Sequence, residues 1–525
     1  MINEGSNAIL GPLLLPRRPE SRPFTPLWMT IPVYRLRSRA LLRQNMGVPG
    51  VHAEVETKFD VPPDFAMPDL SAYAGPNGRL VVDQVRLSST YHDTAGSDLL
   101  RFRLTLRRRL GDVDTGWHLK VPARAARTEL HWPAEGDTPP GEVKNTLRPF
   151  LRDAAVVPTV RLDVSRTRHR LVTSADELIA EVAQDDVRAA GLRVQVRAPR
   201  WHEVEVELGT GPRETLAEIG SVLVHAGAFP SASPSKLARA LRGIGNERVD
   251  DRPTTAGATL VNYIAQQSDA LVGGHFAIAR DAPDSVHQTR VATRRLRSTL
   301  RTFANYFAAE PAAELEGELQ WYARLLGEVR DREVLLARLQ KDLAELPEDL
   351  IVGPVPEHIS TQLTGELAVH RAELVDAMQT ERYADLLGRV ANWRVDPPFI
   401  AAAAAAPQAL QEEVDRMQRK LIKQLALATD RAGSAEDMHR ARKTGKRLRY
   451  AAEAADKDSD VVAETIALQD LLGEFQDSIG AQQVLRRLAG EAAQRGEDGF
   501  TYGMLVAQER QRAAHARSAA RQAKH

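Results

Sequence analysis

The 525-residue sequence contains no cysteine, which excludes disulfides and thiolate metal sites and makes a reducing, cytoplasmic setting the simplest expectation. Any metal must then be held by carboxylate, imidazole or carbonyl groups. Long apolar runs are missing too. Nothing reaches the roughly 18–20 residues of a membrane span, and Ile9–Leu15, broken by Gly11 and Pro12, does not resemble a secretory signal. There is no net charge either, because 70 basic residues balance 70 acidic ones. What remains is an ordinary globular composition, 43% apolar and 27% charged, in a chain too long for one core. At roughly 100–200 residues per domain, two to four domains are expected. The zero net charge averages over local blocks of one sign, and those blocks carry the functional argument.

Residues 1–50 mix Pro, Arg and Ser without periodicity and read as a mostly disordered extension. From Val51 to about Val206 the apolar pattern is often period two, as over 52–59, 101–109 and 201–208. Turn signals such as Gly75-Pro76-Asn77-Gly78, Gly111-Asp112 and Pro139-Pro140-Gly141 separate these runs, so the first half predicts an antiparallel sheet. Asp250–Thr255, with Pro253, reads as a linker. From about Ala256 helical patterns run to the end, broken at Val352–Pro356 and Pro397–Pro407. That half repeats internally: His287–Arg297 matches His439–Arg449 in register, and Leu325–Asp331 matches Leu471–Asp477.

The strands of the first half alternate apolar residues with charged ones. Residues two apart in a strand share a side. Glu54, Glu56 and Lys58 therefore share one face, Glu203, Glu205 and Glu207 another, and Arg103, Arg107 and Arg109 a third. One such run is an ordinary solvated face. Several acidic and basic faces in one small domain repel within themselves and contribute nothing to folding. A divalent cation among the carboxylates and an anion against the arginines relieve both repulsions, and hard oxygen ligands select Mg²⁺ or Mn²⁺.

Glu54-Val-Glu56-Thr-Lys58 resembles the ExExK signature of the CYTH, or triphosphate tunnel metalloenzyme, family. The resemblance continues in order through Tyr91-His-Asp93-Thr94, Leu106–Arg109, Leu119-Lys120-Val-Pro122, the Arg161 and Arg166 region, Glu181 to Asp185, Glu203–Glu207 and Ser235-Lys236. Asp163 stands where related sequences often carry another Arg. The resemblance implies an eight-stranded antiparallel tunnel over 51–245 that takes a linear triphosphate. By it, Glu54, Glu56, Asp185, Glu203, Glu205 and Glu207 hold one or two divalent ions. Lys58, Arg107, Arg109, Lys120, Arg161, Arg166 and Lys236 contact phosphate, and Glu54, Glu56 and Lys58 are the implied catalytic residues. Phosphoryl transfer suits such a site, since it needs in-line positioning and charge neutralisation more than covalent help.

In the helical half, His287, Arg290, Arg294, Arg297 and Arg301 line one helix face at spacings of 3 and 4; His439, Arg442, Lys446 and Arg449 do the same. Like charges at that spacing oppose helix formation. Ser434 and Asp437 offer a capping box for the second helix, and Gly445 inside it suggests close backbone packing. One basic stripe is usually a solvated face; two in a duplicated unit, each led by a histidine, suit a long anion, because guanidinium groups donate in a planar fork. The stripes lack interleaved aromatics for base stacking, with Tyr450 the nearest, so nucleic acid is not the expected partner.

These two segments resemble the CHAD domain, over about 257–515. The resemblance implies affinity for inorganic polyphosphate, with His287, Arg290, Arg294, Arg295, Arg297, Arg301, His439, Arg442, Lys443, Lys446, Arg447 and Arg449 as the contacting set. Asp331 and Asp477 are expected to pair with basic residues of their own repeat. Together the resemblances imply an α+β multidomain chain: an extension over 1–50, the eight-stranded β tunnel, a linker over 246–256, an all-α domain of two pseudo-symmetric four-helix bundles, and a tail over 516–525. The expected function is a metal-dependent triphosphatase acting on inorganic triphosphate or short polyphosphate, cytoplasmic and associated with polyphosphate granules. The alternatives are a non-catalytic polyphosphate-binding protein and, behind it, an adenylate cyclase-like or nucleoside triphosphatase activity.

Overall fold

A computed structural model of the chain describes residues 50–54, 56–122, 127–133, 136–241, 254–430, 434–456 and 458–522. The expected extension, up to residue 49, and the expected linker, up to residue 253, lie outside these residues.

The first half is an antiparallel sheet of ten strands: β1 (Gly50–Glu54), β2 (Glu56–Asp60), β3 (Arg79–Asp93), β4 (Thr105–Leu110), β5 (Gly116–Val121), β6 (Arg127–Trp132), β7 (Val157–Val172), β8 (Leu178–Gly191), β9 (Arg200–Leu208) and β10 (Phe229–Pro230). Their order is β1-β6-β5-β4-β3-β7-β8-β9-β2-β10. The sheet is not closed by a hydrogen-bonded ladder between its edges. Val55 alone separates β1 from β2 in sequence, yet β1 pairs with β6 at one edge and β2 with β9 near the other. That single-residue step brings the two edges together and curls the sheet around a cavity. The expected eight-stranded tunnel is thus an open ten-stranded sheet, of which eight strands, β2–β9, line the cavity.

Four helices accompany the sheet: α1 (Asp98–Arg101), α2 (Gly141–Leu151), α3 (Glu214–His225) and α4 (Lys236–Leu241). The outward apolar residues Phe59, Val182, Val204 and Val206 are buried under Ile219 and Leu223 of α3. Inside, Leu87, Tyr91, Val160 and Leu162 pack on Leu237 and Leu241 of α4, which gives one end of the cavity an apolar floor. The alternation read over 101–109 begins only at Thr105. Arg103 precedes β4 in a left-handed conformation (φ 59°) and ion-pairs with Asp269 of the second half, away from Arg107 and Arg109.

The second half holds α5 (Ala256–Ala279), α6 (Ser285–Thr302), α7 (Ala309–Glu345), α8 (Val355–Ala377), α9 (Glu381–Val395), α10 (Ala409–Thr429), α11 (Ala435–Ala455), α12 (Asp460–Gln494) and α13 (Phe500–Gln522). Each repeat supplies four helices, α5–α8 and α10–α13, with α9 between them. The duplicated helices α6 and α11 pack against each other. The capping box forms as its spacing predicts, with Ser434 Oγ accepting from Asp437 N at 3.1 Å and Asp437 Oδ2 accepting from Ser434 N at 2.9 Å. Gly445 is buried, but an added Cβ would sit 3.8 Å from Leu421, an ordinary contact, so no close backbone approach requires this glycine. The close approach is at Gly274 of α5, where a Cβ would meet Thr289 Oγ1 at 2.1 Å. The last helix continues to Gln522, so the tail expected from residue 516 is helical to that point. Among the described residues no helix is long and apolar enough to cross a membrane.

The two halves share one hydrophobic core, which runs from Trp117 and Leu119 through Phe150 to Phe276 and Leu386. Phe150 of α2 stacks on Phe276 of α5 with centroids 5.2 Å apart and an interplanar angle of 4°. Arg394 adds an ion pair to Asp269 at 3.0 Å, beside that of Arg103. Truncating Phe276 to Ala removes the ring that joins the halves and should lower stability by about 3–5 kcal/mol. Urea denaturation checks this; a loss below about 1 kcal/mol would show that the shared core contributes little.

Candidate functional site

Alternation decides which side chains enter the cavity, and register decides which of them meet. Glu181 of β8 lies opposite Glu207 of β9, and Glu207 opposite Glu56 of β2, making one row of three carboxylates. Two residues along, Glu205 faces Lys58; two further, Asp185, Glu203 and Asp60 form a second acidic row. Arg107 and Arg109 of β4 and Lys120 of β5 enter the same cavity of about 480 Å³, as do Arg166 and Arg168 of β7, the strand beside β8.

Lys236, the first residue of α4, joins the carboxylates of β8 and β9. Its ammonium lies 2.9 Å from Asp185 Oδ2, 2.7 Å from Glu203 Oε1 and 2.7 Å from Glu205 Oε2. Arg166 donates to both oxygens of Asp185 at 2.8 Å and to Glu205 at 2.9 Å. Lys58 pairs with Glu56 at 2.9 Å and with Glu205. Burial by itself would raise the Glu205 carboxyl, but Lys236, Lys58 and Arg166 hold it well below the usual carboxylate range. Burial raises Glu207, with Glu56 and Glu205 adding to the effect against Lys120, and burial likewise raises Glu181 against Arg166. Asp185, Glu203 and Glu205 offer oxygens within 4.8 Å of one another, a donor set that fits a hard divalent ion.

On the basic side, Arg107 bonds Glu129 at 2.9 Å, Arg109 bonds Asp114 at 2.5 Å, and Arg168 bonds Asp83 and, at 2.8 Å, Asp112. His118 lies under this wall with Nδ1 3.0 Å from Glu129 Oε1, and its ring stacks on His131. Burial and Arg107 push its pKa down, while the bond to Glu129 opposes them.

The structure therefore brings together Glu56, Lys58, Arg107, Arg109, Lys120, Arg166, Glu205, Glu207 and Lys236, with Asp185 and Glu203 buried immediately behind. The Glu54 side chain lies outside the described residues. Arg161 is not in the cavity: it is half exposed on the outer face of β7 and pairs with Asp163 at 3.0 Å. Parity explains the difference, since Arg161 and Arg166 are five apart and fall on opposite faces of a regular strand. Arg168, two residues beyond Arg166, is the cavity residue that spacing alone could have found. His118, two residues before Lys120 in β5, was open to the same count, whereas Glu129 was not, because its position follows from the β5–β6 pairing.

The second candidate surface lies where α6 meets α11. Arg290 pairs with Asp331 at 2.9 Å and Arg442 with Asp477 at 3.8 Å, equivalent contacts in the two repeats and as expected for both aspartates. No carboxylate pairs with Arg294 or Lys446 among the described residues. Burial, with Arg290 adding, lowers Arg294 to about 10. Burial lowers Lys446 to about 7, helped by Arg294, Arg442 and Arg290 and opposed by Asp477. The two stripes therefore converge in a half-buried surplus of positive charge. Arg295 is turned away from it, buried against Glu453 at 2.7 Å, and Arg449 bonds the same carboxylate at 2.9 Å. Arg297 and Arg301 share Glu316. His287 and Arg447 are half-buried, Lys443 is exposed, and His439 Nδ1 lies 3.2 Å from Gln476 Oε1. Neither histidine belongs to a metal-capable group of three among the described residues.

Comparison with known proteins finds both domains. Residues 52–240 match the CYTH domain and residues 262–486 the CHAD domain. Two uncharacterised Mycobacterium tuberculosis proteins, MT2285 and Rv2226, are each 33% identical over 480 residues, covering 88% of this chain and 93% of theirs. Among solved structures, PptA from Streptomyces chartreusis is 23% identical, covering 52% of this chain and 99% of that one with a TM-score of 0.45. The CHAD domain from the plant Ricinus communis is 23% identical, covering 54% of this chain and 97% of that one with a TM-score of 0.43. The chain belongs to the CYTH–CHAD family, a triphosphate tunnel metalloenzyme domain joined to a CHAD domain. CYTH enzymes are metal-dependent, and the carboxylate cluster of β8 and β9 has the donor chemistry for that.

Arg166 is the strut of the acidic wall. Replacing it with Ala leaves Asp185 and Glu205 short of a buried partner and should destabilise the protein by about 3–5 kcal/mol. Chemical denaturation measures it; an unchanged midpoint would mean that Lys58 and Lys236 suffice.

Proposed function

We propose that the sheet domain is a metal-dependent triphosphatase acting on inorganic triphosphate or short polyphosphate, and that the helical domain binds inorganic polyphosphate. The observation that carries the reading is one cavity that holds both the acidic wall of β8, β9 and β2 and the basic residues of β4 and β5, with Arg166 and Arg168 of β7 beside β8. The lining offers a linear polyphosphate both fixed cations and metal ligands.

In this reading Asp185, Glu203, Glu205 and Glu207, with Glu56 and Glu54, hold Mg²⁺ or Mn²⁺. The bound ion supplies Lewis acidity and neutralises phosphate charge. Arg107, Arg109, Lys120 and Arg166 grip the non-bridging oxygens and fix the chain for in-line attack by water. Their fork geometry matters, because each guanidinium can donate two parallel hydrogen bonds. Burial keeps these charges in a low-dielectric setting, where they act more strongly than in water.

Phosphate release from inorganic triphosphate, long-chain polyphosphate and ATP, with Mg²⁺, with Mn²⁺ and with EDTA, tests the proposal. Metal-dependent release from triphosphate is expected, with Glu205→Gln reducing kcat by about 10²–10³-fold, the scale of losing a major electrostatic group. Release that persists unchanged in EDTA, or no release with any metal, contradicts it.

The helical domain gives a pH prediction of two opposite signs. Lys446 titrates near 7 when folded against an ordinary lysine value of 10.5. Between those values the unfolded chain binds the extra proton, so this group makes stability rise as pH increases above about 7. Its charge is lost over the same range, so polyphosphate affinity should fall from pH 6.5 to 8.5. Titration calorimetry at fixed salt should show the fall in the wild type and not in Lys446→Arg. An identical slope in both would remove Lys446 from the binding surface.

A further inference from the structure

The three carboxylates best placed to hold a divalent ion already hold a cation that belongs to the protein. Lys236 Nζ ion-pairs with three carboxylate oxygens, Asp185 Oδ2, Glu203 Oε1 and Glu205 Oε2, at 2.9, 2.7 and 2.7 Å. These are the same three residues whose oxygens cluster within 4.8 Å. Two of the oxygens are shared further with Arg166 Nη2, at 2.8 Å on Asp185 and 2.9 Å on Glu205. The ammonium is seated among the oxygens a divalent ion would use, and an ammonium and a divalent ion in one small site repel each other strongly.

Arg166 is anchored to both oxygens of Asp185. Lys236 is the more mobile of the two cations, since it enters on a flexible four-carbon stem. Its ammonium also lines the cavity beside Lys58 and Arg166, so leaving the carboxylates carries it toward bound phosphate. Charge balance favours a coupled exchange. Asp185, Glu203 and Glu205 are contacted by Lys236, Arg166 and Lys58, the last shared with Glu56, so an ion arriving alone adds positive charge beside three fixed cations. An ion arriving with a polyanion does not, because the polyanion takes up the released lysine.

We propose that Lys236 guards the metal site: the ammonium and the divalent ion exclude one another, and the polyphosphate substrate draws Lys236 off the carboxylates so that the ion can bind. The inference rests on the reading of these carboxylates as metal ligands. Lys236 is thereby a positioning residue that makes metal binding wait for substrate.

Mn²⁺ binding to the full chain, measured by titration calorimetry without phosphate, is the test. Lys236→Met should bind Mn²⁺ at least about tenfold more tightly than the wild type, because the competing charge is gone. Lys236→Arg, which keeps the charge, should stay near the wild type. A folded Lys236→Met that binds Mn²⁺ no more tightly overturns the guard. The metal reading then stands or falls separately on whether Glu205→Gln abolishes Mn²⁺ binding. If the Met variant does not fold, the wild type alone decides: saturating tripolyphosphate should tighten Mn²⁺ binding well beyond the affinity of Mn²⁺ for free tripolyphosphate, and no such gain overturns the proposal. Failure of any variant to bind Mn²⁺, with the wild type also inert in the presence of tripolyphosphate, contradicts the metal reading itself.

Discussion

A cavity lined by ionised side chains inside a β-sheet exists only if its charges balance locally. Removing a lone carboxylate or guanidinium from water is too costly to be tolerated. The rows on β8, β9 and β2 place like charges next to one another, an arrangement that disfavours the sheet by itself. Arg166, Lys58 and Lys236 offset that repulsion, and the counter-ions Glu129, Asp112 and Asp114 do the same for the arginines opposite. The rest of the domain serves this balance. The placing of β1 and β2 at opposite sides of the sheet curls it, α3 buries the outer apolar face, and α4 both floors the cavity and delivers Lys236.

The same balance explains why the site suits a metal polyphosphate. On the proposed reading, Lys236 exchanges its carboxylates for phosphate oxygens, and the β8 and β9 carboxylates so released accept a divalent ion. Ligand binding then redistributes charge that is already buried, which reduces reorganisation during reaction. The helical domain uses a different device. At Arg294 and Lys446 its two basic stripes meet without paired carboxylates among the described residues, so positive charge is left over for an external polyanion. The shared core through Phe150 and Phe276 fixes the two devices to one body.

Much of this was legible in the sequence. Period-two spacing placed Glu203, Glu205 and Glu207 on one face, and their inward direction holds. The repeat of His287–Arg297 at His439–Arg449 located the two helices that pack together. Spacing failed where the chain leaves regular geometry or where neighbours come from distant strands. Arg103 falls before β4 in a left-handed turn, so parity with Arg107 does not apply. Arg161 and Arg166 sit in one strand, and there a strict parity count separates them correctly. Arg295 is adjacent to the basic stripe but is captured by Glu453, more than a hundred residues away, a pairing that depends on how α6 crosses α11. Glu129 enters the cavity through the β5–β6 register, which one-dimensional periodicity does not contain.

The central claim is that one ion, held by the β8–β9 carboxylates, touches the polyphosphate gripped by the arginines opposite. Electron–nuclear double resonance on the complex of protein, Mn²⁺ and tripolyphosphate measures that contact directly through ³¹P hyperfine coupling to the bound Mn²⁺. The account predicts a protein-bound Mn²⁺ signal with strong ³¹P coupling that Glu205→Gln abolishes. A Mn²⁺ ion bound at Glu205 with no ³¹P coupling, or a coupling indifferent to Glu205, would contradict it.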